Sequence, residues 1–133
     1  MPARGRRPSS GRTGGHKYPR AARLNETLRE IIADELVRIA DERLEFVTIT
    51  SIDADNELNR AIVFFDSLAG EESDDEVVRA LGDHRVRLQG SIARQIRAKK
   101  TPILEFRPDQ VIRSAERIDE ILRRDRERDS ADD

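Results

Sequence analysis

From His84 to Leu104 the chain carries no acidic residue, while Arg85, Arg87, Arg94, Arg97, Lys99 and Lys100 all fall inside that span. Leu81, Leu88, Ile92 and Ile96 recur there at intervals that place one apolar stripe along a helix. The cations lie between the stripe positions and must meet water or a partner. Thr101-Pro102 is expected to stop the helix, because proline lacks a backbone donor and pushes the preceding residue towards extended conformations. Ile103-Leu104-Glu105-Phe106 then alternates like a half-buried strand. The expected product is a cationic helix from His84 to Lys100 running straight into a sheet. A solvated helix face has this pattern too; the sharper reading is a surface for nucleic-acid phosphates.

Charge along the rest of the chain is segregated in blocks. No acid precedes Glu26, whereas Arg4, Arg6, Arg7, Arg12, Lys17, Arg20 and Arg23 all do. Between Glu45 and Asp83 acids dominate, and Arg60 and Arg79 are the only cations. The net charge is only −2, so the sum hides a basic face and an acidic one. With 36% apolar and 39% charged residues, the core must be small. The absence of Cys excludes disulfides, thiolate nucleophiles and Cys-ligated zinc, and fits a cytoplasmic setting. The N-terminal twenty residues have no apolar run, so neither a signal peptide nor a membrane span is expected.

Residues 1–16 are rich in Gly, Pro, Ser and Arg and read as a disordered basic arm. A first helix begins near Pro19, with Leu24, Leu28, Ile31, Ile32, Leu36 and Ile39 on one face. Phe46 to Ile52 is β-branched and aromatic, hence a strand; after a turn at Asp53 to Glu57, Arg60 to Phe65 returns antiparallel to it. Ser73-Asp74-Asp75-Glu76 has the form of a capping box opening a second helix, with Val77, Val78 and Leu81 inward. Gly82 is expected to end it in a left-handed turn, with Asp83 capping the next helix. After Pro108, Val111, Ile112, Ala115, Ile118, Ile121 and Leu122 make a last amphipathic helix of modest length. From Arg123 the charges alternate without apolar anchors, and residues 123–133 read as a frayed or disordered tail. The order α-β-β-α-α-β-α gives an α+β fold in which one face of a three-stranded sheet packs on helices.

Several blocks, in this order and spacing, carry a resemblance. They are RLNETLREIIADEL at Arg23 to Leu36, LEFVTITSID at Leu44 to Asp53, and AIVFFDSL at Ala61 to Leu68. ALGDHRVRLQGSIARQI, TPILEF at Thr101 to Phe106 and RIDEIL at Arg117 to Leu122 follow. Together they resemble the bacterial ribosome-binding factor A family over about Tyr18 to Leu122. The resemblance implies a type II KH-like domain over residues 17–122 with an additional C-terminal helix. It also implies an assembly factor that binds the small ribosomal subunit and its ribosomal RNA. Such a factor supports late maturation and 5′-end processing, especially in the cold, without catalysis.

KH modules clamp nucleic-acid backbone with a Gly-x-x-G loop between two helices, since glycines let phosphates reach backbone amides. The resembled family replaces that loop with Ala-x-Gly and a kink. This chain has His84-Arg85-Val86 at the matching positions, with no glycine, which weighs against an amide cradle and shifts binding to side chains. The expected RNA-binding residues are therefore Arg20, Arg23, His84, Arg85, Arg87, Arg94, Arg97, Lys99 and Lys100.

Two other functions compete. In one, the acidic region Asp66 to Asp83 docks a basic ribosomal protein, making the chain an adaptor. In the other, Asp53, Asp55 and Glu57 bind a divalent cation and cleave phosphodiesters. The enzyme lacks His or Cys support, a phosphate-binding glycine loop and any nucleophile–base arrangement, and a solvated hairpin turn accounts for the same acids. No metal, cofactor, membrane or small-molecule substrate is expected, and a monomer is.

Overall fold

The structure is a computed structural model that describes residues 18–132, so the expected basic arm at residues 1–16 lies outside the described residues. Leu28, Ile31 and Ile32 are the buried face of α1 (Tyr18–Val37), as the spacing of its apolar residues predicts. A short 3-10 turn at Glu42–Leu44 leads to β1 (Val47–Ala54) and its hairpin partner β2 (Arg60–Ser67). Helices α2 (Asp74–Asp83) and α3 (Arg85–Gln95) then carry the chain to β3 (Ile103–Pro108), which pairs parallel to β2. The sheet order is β1-β2-β3, a mixed sheet whose parallel pair requires a crossover of this kind. With α4 (Gln110–Asp132), this is the KH-like order that the resemblance implied.

One sheet face is covered. Ala61, Val63 and Phe65 of β2 and Leu104 and Phe106 of β3 alternate inward with the pleat, and Ile49 and Ile52 of β1 both face the core because the register shifts between Ile49 and Ser51. Val77, Ala80 and Leu81 of α2 and Leu88 and Ile92 of α3 close over them, together with α1. Among the described residues no apolar residue of α4 belongs to this core, and Ile118, Ile121 and Leu122 remain about half exposed.

Five local expectations are corrected. The third helix stops at Gln95 instead of Lys100: Ile96 is extended (φ −116°, ψ 128°), although its amide still bonds Ile92. Five more helical residues would add about 7.5 Å of rise. Pro102 is buried and Ile103 donates to the Asn59 carbonyl at 3.0 Å, so the chain needs its residues 97–101 to turn back towards β2. The expected capping box does not form. Ser73 belongs to a 3-10 turn (Glu71–Ser73), and its hydroxyl bonds the Gly70 carbonyl at 2.7 Å, leaving α2 without a side-chain cap.

The left-handed glycine is Gly70 (φ 97°), while Gly82 lies inside α2. The break between α2 and α3 is a single residue, His84 (φ −102°, ψ 11°), which ends one helix and begins the next without an Asp83 cap. Finally, α4 continues through residues 123–132, where a frayed tail was expected. Alternating charge there becomes a ladder at helical spacing: Arg123 with Glu120 and Glu127, Arg124 with Glu120, and Arg128 with Asp125. Pairs of this kind stabilise a helix by about 0.2–0.5 kcal/mol each, which replaces apolar anchoring.

Candidate nucleic-acid interface

Helices α1 and α3 pack antiparallel. Leu28 of α1 lines a small crevice with Ile92 and Ile96, and Glu35, two turns on, meets Ser91 and Arg87. Their seam orders most of the expected cations. At one end stand Arg20 and Arg23, in the first turns of α1, both exposed. The 96–102 loop packs beside them, since Leu24 shares the crevice with Ala98 and Lys100. Arg97 and Lys99 are exposed there and make no ion pair among the described residues. Lys100 hydrogen-bonds the Asn59 side chain, tying this loop to the hairpin turn. That turn carries Leu58 at φ 58°, a left-handed conformation held by packing against the same crevice.

Further along the seam the cations gather on a carboxylate. Glu35 is 5% exposed. Its carboxylate accepts the Ser91 hydroxyl at 2.6 Å and Arg87 Nε at 2.6 Å. Arg94 donates to the Ser91 hydroxyl at 3.1 Å, and Arg38 Nη1 stands 3.5 Å from Glu35 Oε1. The Ser91 and Arg87 hydrogen bonds hold the Glu35 carboxyl down at about 2, against the opposing pull of burial. Neither Arg38 nor Glu35 was singled out from the sequence. The available signal was that Glu35 falls on the apolar face of α1, one turn beyond Ile31 and Ile32.

The other two expected residues point elsewhere. His84 Nε2 lies 2.8 Å from Asp41 Oδ2 and bridges the helix junction to the segment after α1. Asp41 also takes Arg43 at 2.7 Å, and Arg43 with His84 holds its carboxyl well below the usual range. Arg85 folds onto β3: its Nε donates to the Leu104 carbonyl at 3.0 Å, and its guanidinium lies 5.6 Å from the Phe106 ring centroid. At the helix junction, where a KH backbone clamp would sit, His84 is thus engaged with Asp41, while Arg85 stays exposed with its Nε on the Leu104 carbonyl. Further exposed cations lie on the α1–α3 seam and the following loop.

The acids weighed as a cation site have local roles. Asp55 accepts the amides of Asn59 (2.8 Å) and Arg60 (3.2 Å), and Glu57 accepts the Asn59 side chain. Among the described residues no group of three His, Cys, Asp or Glu side chains is placed to hold a metal ion, and no helix is long and apolar enough to cross a membrane. The acidic segment is largely engaged. Asp66 and Asp74 hold Arg113 of α4, Glu71 pairs with Arg117, and Asp83 with Arg43.

Comparison with known proteins gives the same direction. The family model described as ribosome-binding factor A matches residues 20–122. A ribosome-binding factor A of Kocuria rhizophila is 36% identical over 112 residues, covering 84% of this chain and 73% of that one. The crystal structure of ribosome-binding factor A from Thermus thermophilus matches with a TM-score of 0.60 at 28% identity, over 66% of this chain and 93% of that chain. A homology model of the Thermus thermophilus factor, fitted into a cryo-EM map of its complex with the 30S subunit, matches with a TM-score of 0.56 at 28% identity. It covers 68% of this chain and 96% of that chain.

Proposed function

The chain belongs to the ribosome-binding factor A family, whose model spans residues 20–122, and we propose that it binds the small ribosomal subunit by gripping the backbone of its RNA. The supporting observation is the α1–α3 seam with its 96–102 loop, where Arg20, Arg23, Arg94, Arg97 and Lys99 are exposed. A phosphate backbone is recognised largely by such side chains, which release its counterions on binding. In this reading the protein is a cytoplasmic monomer that holds immature RNA. It supports late maturation and 5′-end processing, with growth in the cold as the demanding case, and breaks no covalent bond. His84 is held by Asp41, whereas Arg85 is exposed and commits only its Nε to the Leu104 carbonyl. The adaptor reading is weaker, since the acidic segment already pairs with the arginines of α4.

The test is cosedimentation with free small subunits and with whole ribosomes at low and moderate salt. The protein is expected to pellet with free small subunits and to be released steeply as salt rises. Replacing Arg97 and Lys99 together by Ala is expected to weaken binding and to lower the salt slope by about one to two. Binding that ignores both salt and these substitutions would sink the proposal.

A further inference from the structure

We propose that Arg38, Arg87 and Arg94 form one phosphate-binding fan, positioned by the buried pair Glu35 and Ser91. The inference rests on the RNA-binding reading above and adds to it a site, a new contact residue and a positioning device. Three guanidiniums, two from α3 and one from the residue that follows α1, converge on a single carboxylate, which leaves a local excess of two positive charges. Glu35 is already satisfied by Ser91 and Arg87, each at 2.6 Å. Arg38 and Arg94 stand farther off, at 3.5 and 4.0 Å from the same oxygen. A carboxylate that only needed neutralising inside the fold would need one arginine; the other two repel each other and Arg87. An external anion removes that repulsion.

The donors are available for such an anion. Each guanidinium has five N–H groups. Arg87 uses its Nε on Glu35 and turns Nη2 to the Arg38 carbonyl at 3.5 Å; Arg94 uses one Nη on Ser91. The side chains of Arg38, Arg87 and Arg94 remain 66%, 47% and 67% exposed. Glu35 and Ser91 beneath them are buried, so the groups that gather the guanidiniums are fixed in the fold while the arginine side chains stay open to water. Holding long side chains in place before binding reduces the entropy lost when a phosphate arrives. Arg94 and Arg97 are both exposed on either side of the end of α3.

Substitution at Glu35 separates positioning from bulk charge, because the two make opposite predictions. Glu35→Gln makes the protein more positive, and if surface charge alone mattered, affinity for a polyanion would rise. A positioned fan loses its organising anion, and affinity falls by roughly threefold or more. Arg38→Ala is expected to lower affinity by roughly three- to tenfold and to reduce the salt slope by about one. Ser91→Ala, which frees Arg94 while leaving the core volume nearly intact, follows Glu35→Gln in direction and covers the case in which that variant folds poorly. Two probes are used: free small subunits by cosedimentation, and a mixed-sequence single-stranded RNA oligonucleotide by fluorescence anisotropy. Arg38→Ala with unchanged affinity and slope on both probes would overturn the proposal, as would equal or tighter binding by folded Glu35→Gln or Ser91→Ala. If the unsubstituted protein binds the oligonucleotide but not the subunit, the ribosomal reading falls while the fan is judged on the oligonucleotide. If it binds neither, both fall.

Discussion

At the α1–α3 seam a buried carboxylate, Glu35, is ringed by arginines; at the root of α4 a buried guanidinium, Arg113, is ringed by carboxylates. Both central groups are nearly inaccessible, at 5% and 6% exposure. Their partners differ in fit. Arg113 donates in parallel to both oxygens of Asp74, at 2.6 and 3.0 Å, and through Nε to Asp66 at 2.9 Å. All three hydrogen bonds are short and both acids are largely buried. The seam has one arginine bound at 2.6 Å and two at looser range, and all three are well exposed. A bidentate buried pair is geometrically exclusive and serves the fold. A buried ion outnumbered by exposed partners of opposite sign leaves charge available to a ligand.

The root of α4 also shows what replaces hydrophobic packing there. Asp109 caps the helix by accepting the Ile112 amide at 3.0 Å and receives the Thr50 hydroxyl from β1. With Arg113 it sets the direction of a helix that adds no apolar residue to the core. The Arg113 guanidinium has its proton affinity raised by Asp74 and then Asp66, so it stays charged at every accessible pH.

The sharpest way to break this contrast is Arg113→Met. It strands two acids beside the end of β2 and the start of α2. We expect a loss of about 3 kcal/mol, the lower end of the range for breaking a buried pair, since Asp66 and Asp74 keep some contact with water. Urea unfolding measures it, and a loss no larger than that of an exposed pair would erase the distinction between the two sites. Next in size is an acid dependence at the seam. The Glu35 carboxyl titrates near 4.5 when unfolded and near 2 when folded. In that window the unfolded chain binds more protons, so stability falls as pH drops. The unsubstituted protein should lose more in urea midpoint between about pH 6 and about pH 3 than Glu35→Gln does; parallel losses would remove Glu35 from the account. The smallest effect belongs to Arg117→Ala, at the exposed rim beside Arg113. Its partner Glu71 lies 3.0 Å away, but both side chains are more than half exposed. A change within about 0.5 kcal/mol is expected from the same unfolding curves, and a larger one would show that the rim carries part of the lock.

Much of this molecule was legible before any coordinate. The face of α1, the hairpin, the paired helices and the short last strand follow from apolar period and turn residues, which act over a few positions. The acid-free stretch after Asp83 also holds cations that are exposed in the fold. Its individual members were not separable: Arg85 and Arg87 are two positions apart, yet one lies on β3 and the other on Glu35. Opposite sides of one helix look alike in a list of charges. The end of α3 was misplaced for a related reason, since Ile96 continues the apolar spacing while β2 requires the chain to turn.

Sequence alone determined most of the helices and strands and the blocks in which charge runs along the chain, because propensity and periodicity are properties of neighbouring residues. Tertiary structure alone decided which charges meet. Arg87 and Ser91 reach Glu35 across 52 and 56 positions, and Arg113 reaches Asp74 across 39. Ion pairing depends on distance in space and on burial, and neither exists until the helices have packed on the sheet.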